Sequence, residues 1–463
     1  MASVQDAPLP DADVRPGRLT TEQYAANFAD AHPPLTRARA LIEAERCYYC
    51  YAAPCVQACP TEIDIPSFIR RIGDDNLRGA AEAILEANVF GGMCARVCPT
   101  EVLCEEACVR NSNEDKPVEI GLLQRYAVDG WFAAPGAPLF TRAAASGRRV
   151  AVAGAGPAGL SCAHRLAMLG HDVVVYEARA KPGGLNEYGL ATYKTTGGYA
   201  QREIEWLLSI GGIEVRHGST LGQALQLDDL VRDHDAVFLA VGLGGVNALG
   251  VAGEGGDGVG NAIDFIADLR QAQAGDAFAQ VPVGRRVVVL GGGMTAVDAA
   301  VQSRKLGAEE VTIVYRRDEQ RMPASAYERQ WAQTNGVTVR TWSVLQSLQS
   351  SGGRVVGATF EVVRDTVGTL EPTGQTWSMP IDSVLKAIGQ TLAVASLAEG
   401  TTAGEAPTLK LQGGRIAVDA EQRTSLPKVW AGGDCVFGGQ DLTVEAVQHG
   451  KLAAHSIDRF LAA

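Results

Sequence analysis

Arg149-Val-Ala-Val-Ala-Gly154-Ala-Gly156-Pro-Ala-Gly159 is the stretch that decides the fold. An apolar β run enters a turn with three glycines, and an amphipathic helix follows. In such a turn one glycine permits the tight bend, the second lets backbone approach a pyrophosphate, and the third lets helix and strand pack. The helix N-terminus then aims its N–H groups at the phosphates. A second β run, Asp172-Val-Val-Val-Tyr, leads to Glu177, eighteen residues past Gly159, where an acid accepts hydrogen bonds from a ribose. A glycine turn alone is weak evidence. Strand, turn, helix and acid at these spacings together mark a dinucleotide-binding βαβ unit.

The unit recurs. Arg286-Val-Val-Val-Leu runs into Gly291-Gly-Gly293-Met-Thr295-Ala, and Val311-Thr-Ile-Val-Tyr follows the next helix. Here the second strand ends in Tyr315-Arg316-Arg317 rather than an acid. Arginines at that position can hold a 2′-phosphate and favour NADPH over NADH; the alternative is a pair of solvated guanidinium groups. Near the C-terminus, Val429-Trp-Ala-Gly-Gly433-Asp434 precedes a helix expected over 443–461. Asp434 can bond the ribityl chain of FAD, and the helix start at Thr443 can stabilise negative charge on a reduced flavin. The repeat predicts an α/β fold with two Rossmann-like dinucleotide-binding domains.

Ahead of these units lies a field of cysteines. Of ten in the chain, eight fall between Cys47 and Cys108. They read Cys47-x2-Cys50-x4-Cys55-x3-Cys59-Pro, then Cys94-x3-Cys98-Pro-x4-Cys104-x3-Cys108. Thiolates are soft ligands for iron–sulfur clusters and zinc. Runs ending in Cys-Pro resemble those of bacterial ferredoxins, where the last cysteine crosses to the other cluster. Simple counting gives two [4Fe–4S] clusters with four cysteines each, Cys94 included. Two zinc sites are the alternative. Residues 66–88, between the two cysteine groups, read as one helix, and the cysteine region as a whole is expected to be α-helical. Residues 1–40 read as a polar arm draped on a neighbouring surface, and Ala133-Ala-Pro-Gly-Ala-Pro-Leu as a linker. Cys162 and Cys435 read as packed thiols.

The bulk properties agree. A chain of 463 residues suggests two to four domains, and 46% hydrophobic residues with 53 glycines fit a buried α/β architecture. The balance of 41 Lys+Arg against 53 Asp+Glu, a net −12, repels nucleic acid and anionic membrane surfaces. The uncharged stretch 236–253 contains five glycines and reads as a strand running into a loop rather than a membrane span. With no basic start and no apolar leader, the chain is expected to be cytoplasmic.

Four stretches carry a resemblance to a known family: Cys94-Ala-Arg-Val-Cys-Pro-Thr-Glu-Val-Leu-Cys, Gly183-Gly184-Leu-Asn-Glu-Tyr-Gly, Val288-Val-Leu-Gly-Gly-Gly and Tyr315-Arg-Arg-Asp-Glu-Gln-Arg-Met-Pro-Ala. The chain resembles the FAD- and NAD(P)H-binding part of dihydropyrimidine dehydrogenase, in particular its separate bacterial subunit. It is more distantly similar to the small subunit of glutamate synthase. The Cys-Pro-Thr-x3-Cys spacing favours the pyrimidine branch.

The resemblance implies an N-terminal arm (1–40), an α-helical domain with two [4Fe–4S] clusters (41–133), an FAD-binding domain (148–245 and 378–463) and an NAD(P)H-binding domain (246–377). One cluster would take Cys47, Cys50, Cys55 and Cys108, and the other Cys59, Cys98, Cys104 and the amide of Gln124, leaving Cys94 out. Pyrimidine reduction would take place in a partner subunit carrying FMN and its own clusters, assembled with this chain as a heterotetramer. FAD accepts a hydride and releases electrons singly, while clusters carry one at a time, so the chain reads as the electron-input half of such an enzyme.

Overall fold

The computed structural model describes residues 14–134, 136–272, 275–393 and 408–463. The first thirteen residues of the expected arm, Pro135 of the linker and 394–407 of the expected FAD segment lie outside them. The chain divides into two compact units. One comprises Met1–Ala31, Tyr188–Gly197 and Val246–Gln390; the other comprises His32–Glu187, Gly198–Gly245 and Thr391–Ala463.

The second of these units holds a five-stranded, all-parallel sheet in the order Val429–Ala431, Ala236–Leu239, Arg149–Ala153, Asp172–Tyr176, Ile213–Arg216. Arg149–Ala153 is buried beyond its first residue, as a near-continuous apolar run must be when helices cover both faces of a parallel sheet. Its neighbours run to opposite sides, Val152 facing Val175 on one and Phe238 on the other. That reversal opens a crevice at the carboxyl ends of the strands. Helix Pro157–Met168 follows the first strand, and helix Thr443–Ala462 packs across it. Gly450 makes the crossing possible. A Cβ there would collide with the Ala158 carbonyl and come within 2.9 Å of the Cys162 nitrogen. The Ser161 hydroxyl ties the pair by donating to the Val447 carbonyl at 2.8 Å.

The same unit contains the cysteine-bearing helices. Arg37–Glu45, Ile65–Gly73, Leu77–Ala87, Gly91–Val97 and Ile120–Ala133 surround a core that includes Phe68, Ile69, Ile72, Ile84, Leu123 and Val128. Val444, in the first turn of the C-terminal helix, belongs to that core. The single helix expected over 66–88 is two helices. Asp75 takes a left-handed φ of 58°, and the Asn76 side chain caps the second helix by accepting from the Gly79 N–H at 2.9 Å. The run Gly73-Asp-Asp-Asn has the residue types that leave a helix and begin another.

The remaining unit has its own parallel sheet, in the order Thr338–Arg340, Glu310–Val314, Arg286–Leu290, Ser383–Lys386, Val259–Asn261. Ser383–Lys386 lies beyond 377, where the resemblance would end this segment. An antiparallel sheet of Ser343–Ser351, Arg354–Thr366 and Thr369–Pro380 accompanies it. Part of the N-terminal stretch is structured within this unit: Val14–Arg15 pairs with Val283–Gly284, and helix Thr21–Asn27 buries Tyr24. Phe28 stacks on Phe278 with ring centroids 4.5 Å apart. Residues Tyr188–Gly197 join the unit through Lys194, whose ammonium lies 2.8 Å from both Asp298 and Glu328. Among the described residues no helix is long and apolar enough to cross a membrane.

Candidate functional site

The first glycine turn has the steric demands its sequence implies. Gly154 has φ 105°, and a Cβ there would come within 2.8 Å of the Ala240 carbonyl carbon. At Gly159 a Cβ would strike the Gly154 carbonyl. Gly156 differs: it caps helix Pro157–Met168, and its Cβ direction meets nothing nearer than Gly184 Cα at 3.8 Å. The position that must admit phosphate is therefore open. Gly184, with φ 52°, packs back on Gly156 so closely that its own Cβ would lie 2.7 Å from Gly156 Cα. Glu177 is buried and accepts from the Ala155 and Arg179 N–H groups, both at 2.8 Å. It braces the turn and keeps lone pairs for a ribose.

Gly433 and Asp434 follow strand Val429–Ala431. Gly433 has φ 79°, and its N–H donates to His449 Nδ1 at 3.2 Å. Among the described residues the Asp434 side chain accepts no hydrogen bond, and burial, aided by Asp441, pushes its pKa up to about 7. A mostly buried carboxyl group without donors suits ribityl hydroxyls, which would supply them. Arg415, which sequence reasoning missed, anchors this loop by donating to the Asp434 and Gly439 carbonyls at 2.9 and 3.2 Å. Thr443 begins the C-terminal helix and donates to Asn186 Oδ1 at 2.7 Å, beside Gly184 in the chain. Gly154, Gly156, Gly159, Glu177, Gly184, Gly433, Asp434 and Thr443 thus all lie in one compact unit.

In the other unit Gly291 has φ 143°, and a Cβ there would lie 2.9 Å from the Ala387 carbonyl carbon. Gly293 caps helix Met294–Lys305 with open space where its Cβ would point, and Thr295 lies in the first turn. A Cβ on Gly292 would be 2.6 Å from the Tyr315 ring, so that ring floors the turn. Arg316 is exposed just beyond, without a hydrogen-bond partner among the described residues, and Arg317 is half-buried. A solvent-facing guanidinium beside an open helix N-terminus is available to a phosphate.

The eight thiols influence one another in two groups. Burial raises the Cys47 thiol pKa, with Cys50 and Cys108 adding to it. Burial pushes Cys55 up to about 12, with Cys47 and Cys108 adding. In the second group a sulfur hydrogen bond with Cys94 holds Cys98 well above its ordinary value, reinforced by burial, Cys104 and Cys59. Burial first, then Glu105 and Cys59, does the same to Cys104. Cys55 also adds to the rise at Cys104, so the two groups are linked, and Cys94 lies with the second. Gln124 is buried and donates to the Gly91 carbonyl at 2.6 Å, which leaves its amide oxygen for another partner. Thiols held in the protonated form lose their protons when metal binds, so cluster insertion here is coupled to proton release. Among the described residues no three of His, Cys, Asp or Glu converge where one bare metal ion would sit.

A constellation that sequence reasoning missed supports the second group. Glu203 is fully buried and accepts from the Gly92 N–H at 2.7 Å and the Met93 N–H at 3.1 Å, at the start of the helix that bears Cys94 and ends at Cys98. Arg96 of that helix lies over the Tyr199 ring at 3.4 Å and pairs with Asp129 at 2.7 Å.

Glycine-lined turns at two parallel sheets, with a thiol field beside one of them, define a redox protein of the two-dinucleotide type. The chain belongs to the pyridine nucleotide-disulphide oxidoreductase family, whose profile matches residues 148–450. Residues 24–135 match dihydropyrimidine dehydrogenase domain II, the 4Fe-4S cluster domain. Among individual relatives, the glutamate synthase [NADPH] small chain of Escherichia coli K12 is 34% identical, covering 94% of each chain. The NAD-dependent dihydropyrimidine dehydrogenase subunit PreT of Salmonella typhimurium LT2 is also 34% identical, covering 94% of this chain and 98% of that one. Among solved structures, T. acidophilum thioredoxin reductase superposes with a TM-score of 0.53 at 21% identity, covering 68% of this chain and 100% of that one. Mycobacterium tuberculosis FprA with NADPH gives 0.54 at 18%, covering 68% and 85%. These two share the fold. The chain is thus an NAD(P)H-dependent flavin oxidoreductase with an iron–sulfur region, an electron-transfer subunit that binds FAD, NAD(P)H and 4Fe-4S iron.

Glu203 yields a pH prediction. Burial lifts its pKa to about 8 against two backbone N–H donors and Arg96, which pull it down. The folded chain then holds a proton that the unfolded chain releases above its ordinary value near 4.5. Its contribution is complete at low pH and declines as pH rises toward 8, by about 1.4 kcal/mol per unit at most. Glu203→Gln should lack this decline, so calorimetric Tm values from pH 5 to 8 should show the variant gaining on wild type. Parallel curves would mean that the carboxylate is ionised in the fold and caps the helix as an anion.

Proposed function

We propose that the chain is the electron-input subunit of a dihydropyrimidine dehydrogenase, taking hydride from NAD(P)H and delivering electrons to an FMN-containing partner that reduces uracil or thymine. The observation that carries this reading is that Val444, in the first turn of the helix after the Gly-Gly-Asp loop, is packed in the core of the thiol-bearing helices. A flavin seated at that loop would have its electron outlet in the same compact unit. The Cys98-Pro-Thr-x3-Cys spacing favours the pyrimidine branch. The glutamate synthase small chain is the second reading, favoured by a relative of equal identity.

In this reading FAD is held by 148–245 with 391–463 and the nicotinamide nucleotide by 246–390, since strand Ser383–Lys386 belongs to the sheet of that segment. Two clusters are ligated by Cys47, Cys50, Cys55 and Cys108, and by Cys59, Cys98, Cys104 and Gln124. The partner is an FMN and iron–sulfur subunit in a heterotetramer. The chain's own groups bind and orient: the glycine turns admit phosphates, Glu177 and Asp434 receive hydroxyls, and the helix start at Thr443 favours negative charge.

The purified chain should oxidise NADPH with ferricyanide as acceptor yet leave uracil unreduced, and adding the FMN subunit should start uracil consumption. Uracil reduction by the chain alone would refute the two-subunit reading.

The arginine pair makes a second claim. Changing Arg316 and Arg317 together to alanine should raise KM for NADPH roughly 10- to 100-fold, the value of one or two charge-assisted hydrogen bonds, with little change for NADH. Equal effects on both nucleotides would show that the pair does not read the 2′-phosphate.

The ligand assignment is separable from both. Cys94→Ala should retain the full iron content of about eight per chain, whereas Gln124→Ala should alter the spectrum or potential of one cluster. Loss of half the iron from the cysteine variant, with an unaltered glutamine variant, would restore the plain count of four cysteines per cluster.

A further inference from the structure

One side chain of the C-terminal helix reaches into the ligand loop. Lys451 Nζ donates to the Thr61 carbonyl at 3.2 Å and to the Ala87 carbonyl at 3.0 Å. The Ala87 bond satisfies an end carbonyl of helix Leu77–Ala87, a service any cation can perform, and Arg165 does likewise at Glu86, at 2.7 Å. The Thr61 bond is different. Thr61 is 1% exposed, and its hydroxyl lies 3.4 Å from Cys59 Sγ. When that sulfur is a thiolate it has no proton to give, so the hydroxyl must donate. Burial, and then Arg165, lower the Lys451 pKa below its ordinary value, while Cys59 and Glu62 favour its charged form. A cation, a carbonyl, a hydroxyl and a ligand sulfur thus form one relay. It runs from the helix that follows the Gly-Gly-Asp loop to Cys59.

We infer that Thr61 and Lys451 are positioning residues that raise the reduction potential of the cluster ligated by Cys59, Thr61 by a hydrogen bond to the ligand sulfur and Lys451 by its nearby charge. The inference rests on the two-cluster reading given above. Hydrogen bonds to sulfur and local charge are recognised levers on cluster potential. A positive charge and a donor both stabilise the more negative, reduced cluster, so both act in the same direction. The effect is local: among the described residues neither Thr61 nor Lys451 hydrogen-bonds Cys47, Cys50, Cys55 or Cys108, so the other cluster should be indifferent to it.

The test uses the full chain, purified anaerobically with its clusters, and an EPR-monitored redox titration that resolves the two potentials. Thr61→Val, which keeps the side-chain shape and removes the hydroxyl, should lower one potential and leave the other in place. Lys451→Met should do the same, whereas Thr61→Ser and Lys451→Arg should stay near wild type. The expected shift is about tenfold in the electron-transfer equilibrium, or about 59 mV for one electron. Thr61→Val alone decides the matter if Lys451→Met does not fold. Full iron content with both potentials unmoved in Thr61→Val overturns the inference and leaves the cluster reading standing. A wild-type chain that binds no iron overturns both.

Discussion

The crossing of helix Pro157–Met168 by helix Thr443–Ala462 is the constraint on which the unit around the first glycine turn hangs. It requires a bare backbone at Gly450, because a Cβ would occupy the place of the Ala158 carbonyl. That contact fixes the C-terminal helix against the very helix that follows the first glycine turn. Once it is fixed, three other placements follow from rigid geometry. The helix start at Thr443 comes to Asn186, Val444 enters the core of the thiol-bearing helices, and Lys451 reaches Thr61. Interiors packed at crystal-like density transmit such constraints instead of absorbing them. One glycine therefore coordinates the first glycine turn, the Gly-Gly-Asp loop and the core of the thiol-bearing helices.

The cysteine region departs from ordinary core building. Cys59 and Cys94 are themselves core residues, and the other six thiols are only partly exposed. Thiols in that position behave as small apolar groups while protonated. As thiolates they become charges in a low-dielectric setting, tolerable only with metal or donors beside them. The helices around them are short, and their ends are satisfied by distant groups: Glu203 at Gly92 and Met93, Lys451 at Ala87. The region is held by its charges and caps as much as by its apolar faces.

What could be read from sequence was whatever the backbone imposes locally. Gly154, Gly159 and Gly291 stand where a side chain would strike a carbonyl, so their pattern in the chain and their role in space are the same fact. The cysteine spacings were legible in the same way, as residue types at short intervals along the chain. The helix break at residues 74–76 was also written locally, in Gly73-Asp-Asp-Asn, but the apolar periodicity on either side masked it. Glu203 gave no such sign. It meets Gly92 from 111 positions away, and a buried glutamate in an amphipathic helix looks in sequence like a solvated one. Lys451 and Thr61 are 390 positions apart. Pairings at such separations leave no period to detect, and only packing brings them together.

The N-terminal stretch carries a consequence for synthesis. Val14–Arg15 pairs with Val283–Gly284, and Tyr24 and Phe28 are buried with Phe278, Val297 and Val301. Their binding surface leaves the ribosome roughly 270 residues after they do. At translation rates of 5–20 residues per second, the delay is on the order of tens of seconds. For that time two aromatic side chains and an unpaired strand edge stand exposed on the nascent chain, in want of a chaperone or a temporary partner. Residues 14–28 are made long before the surface on which they pack.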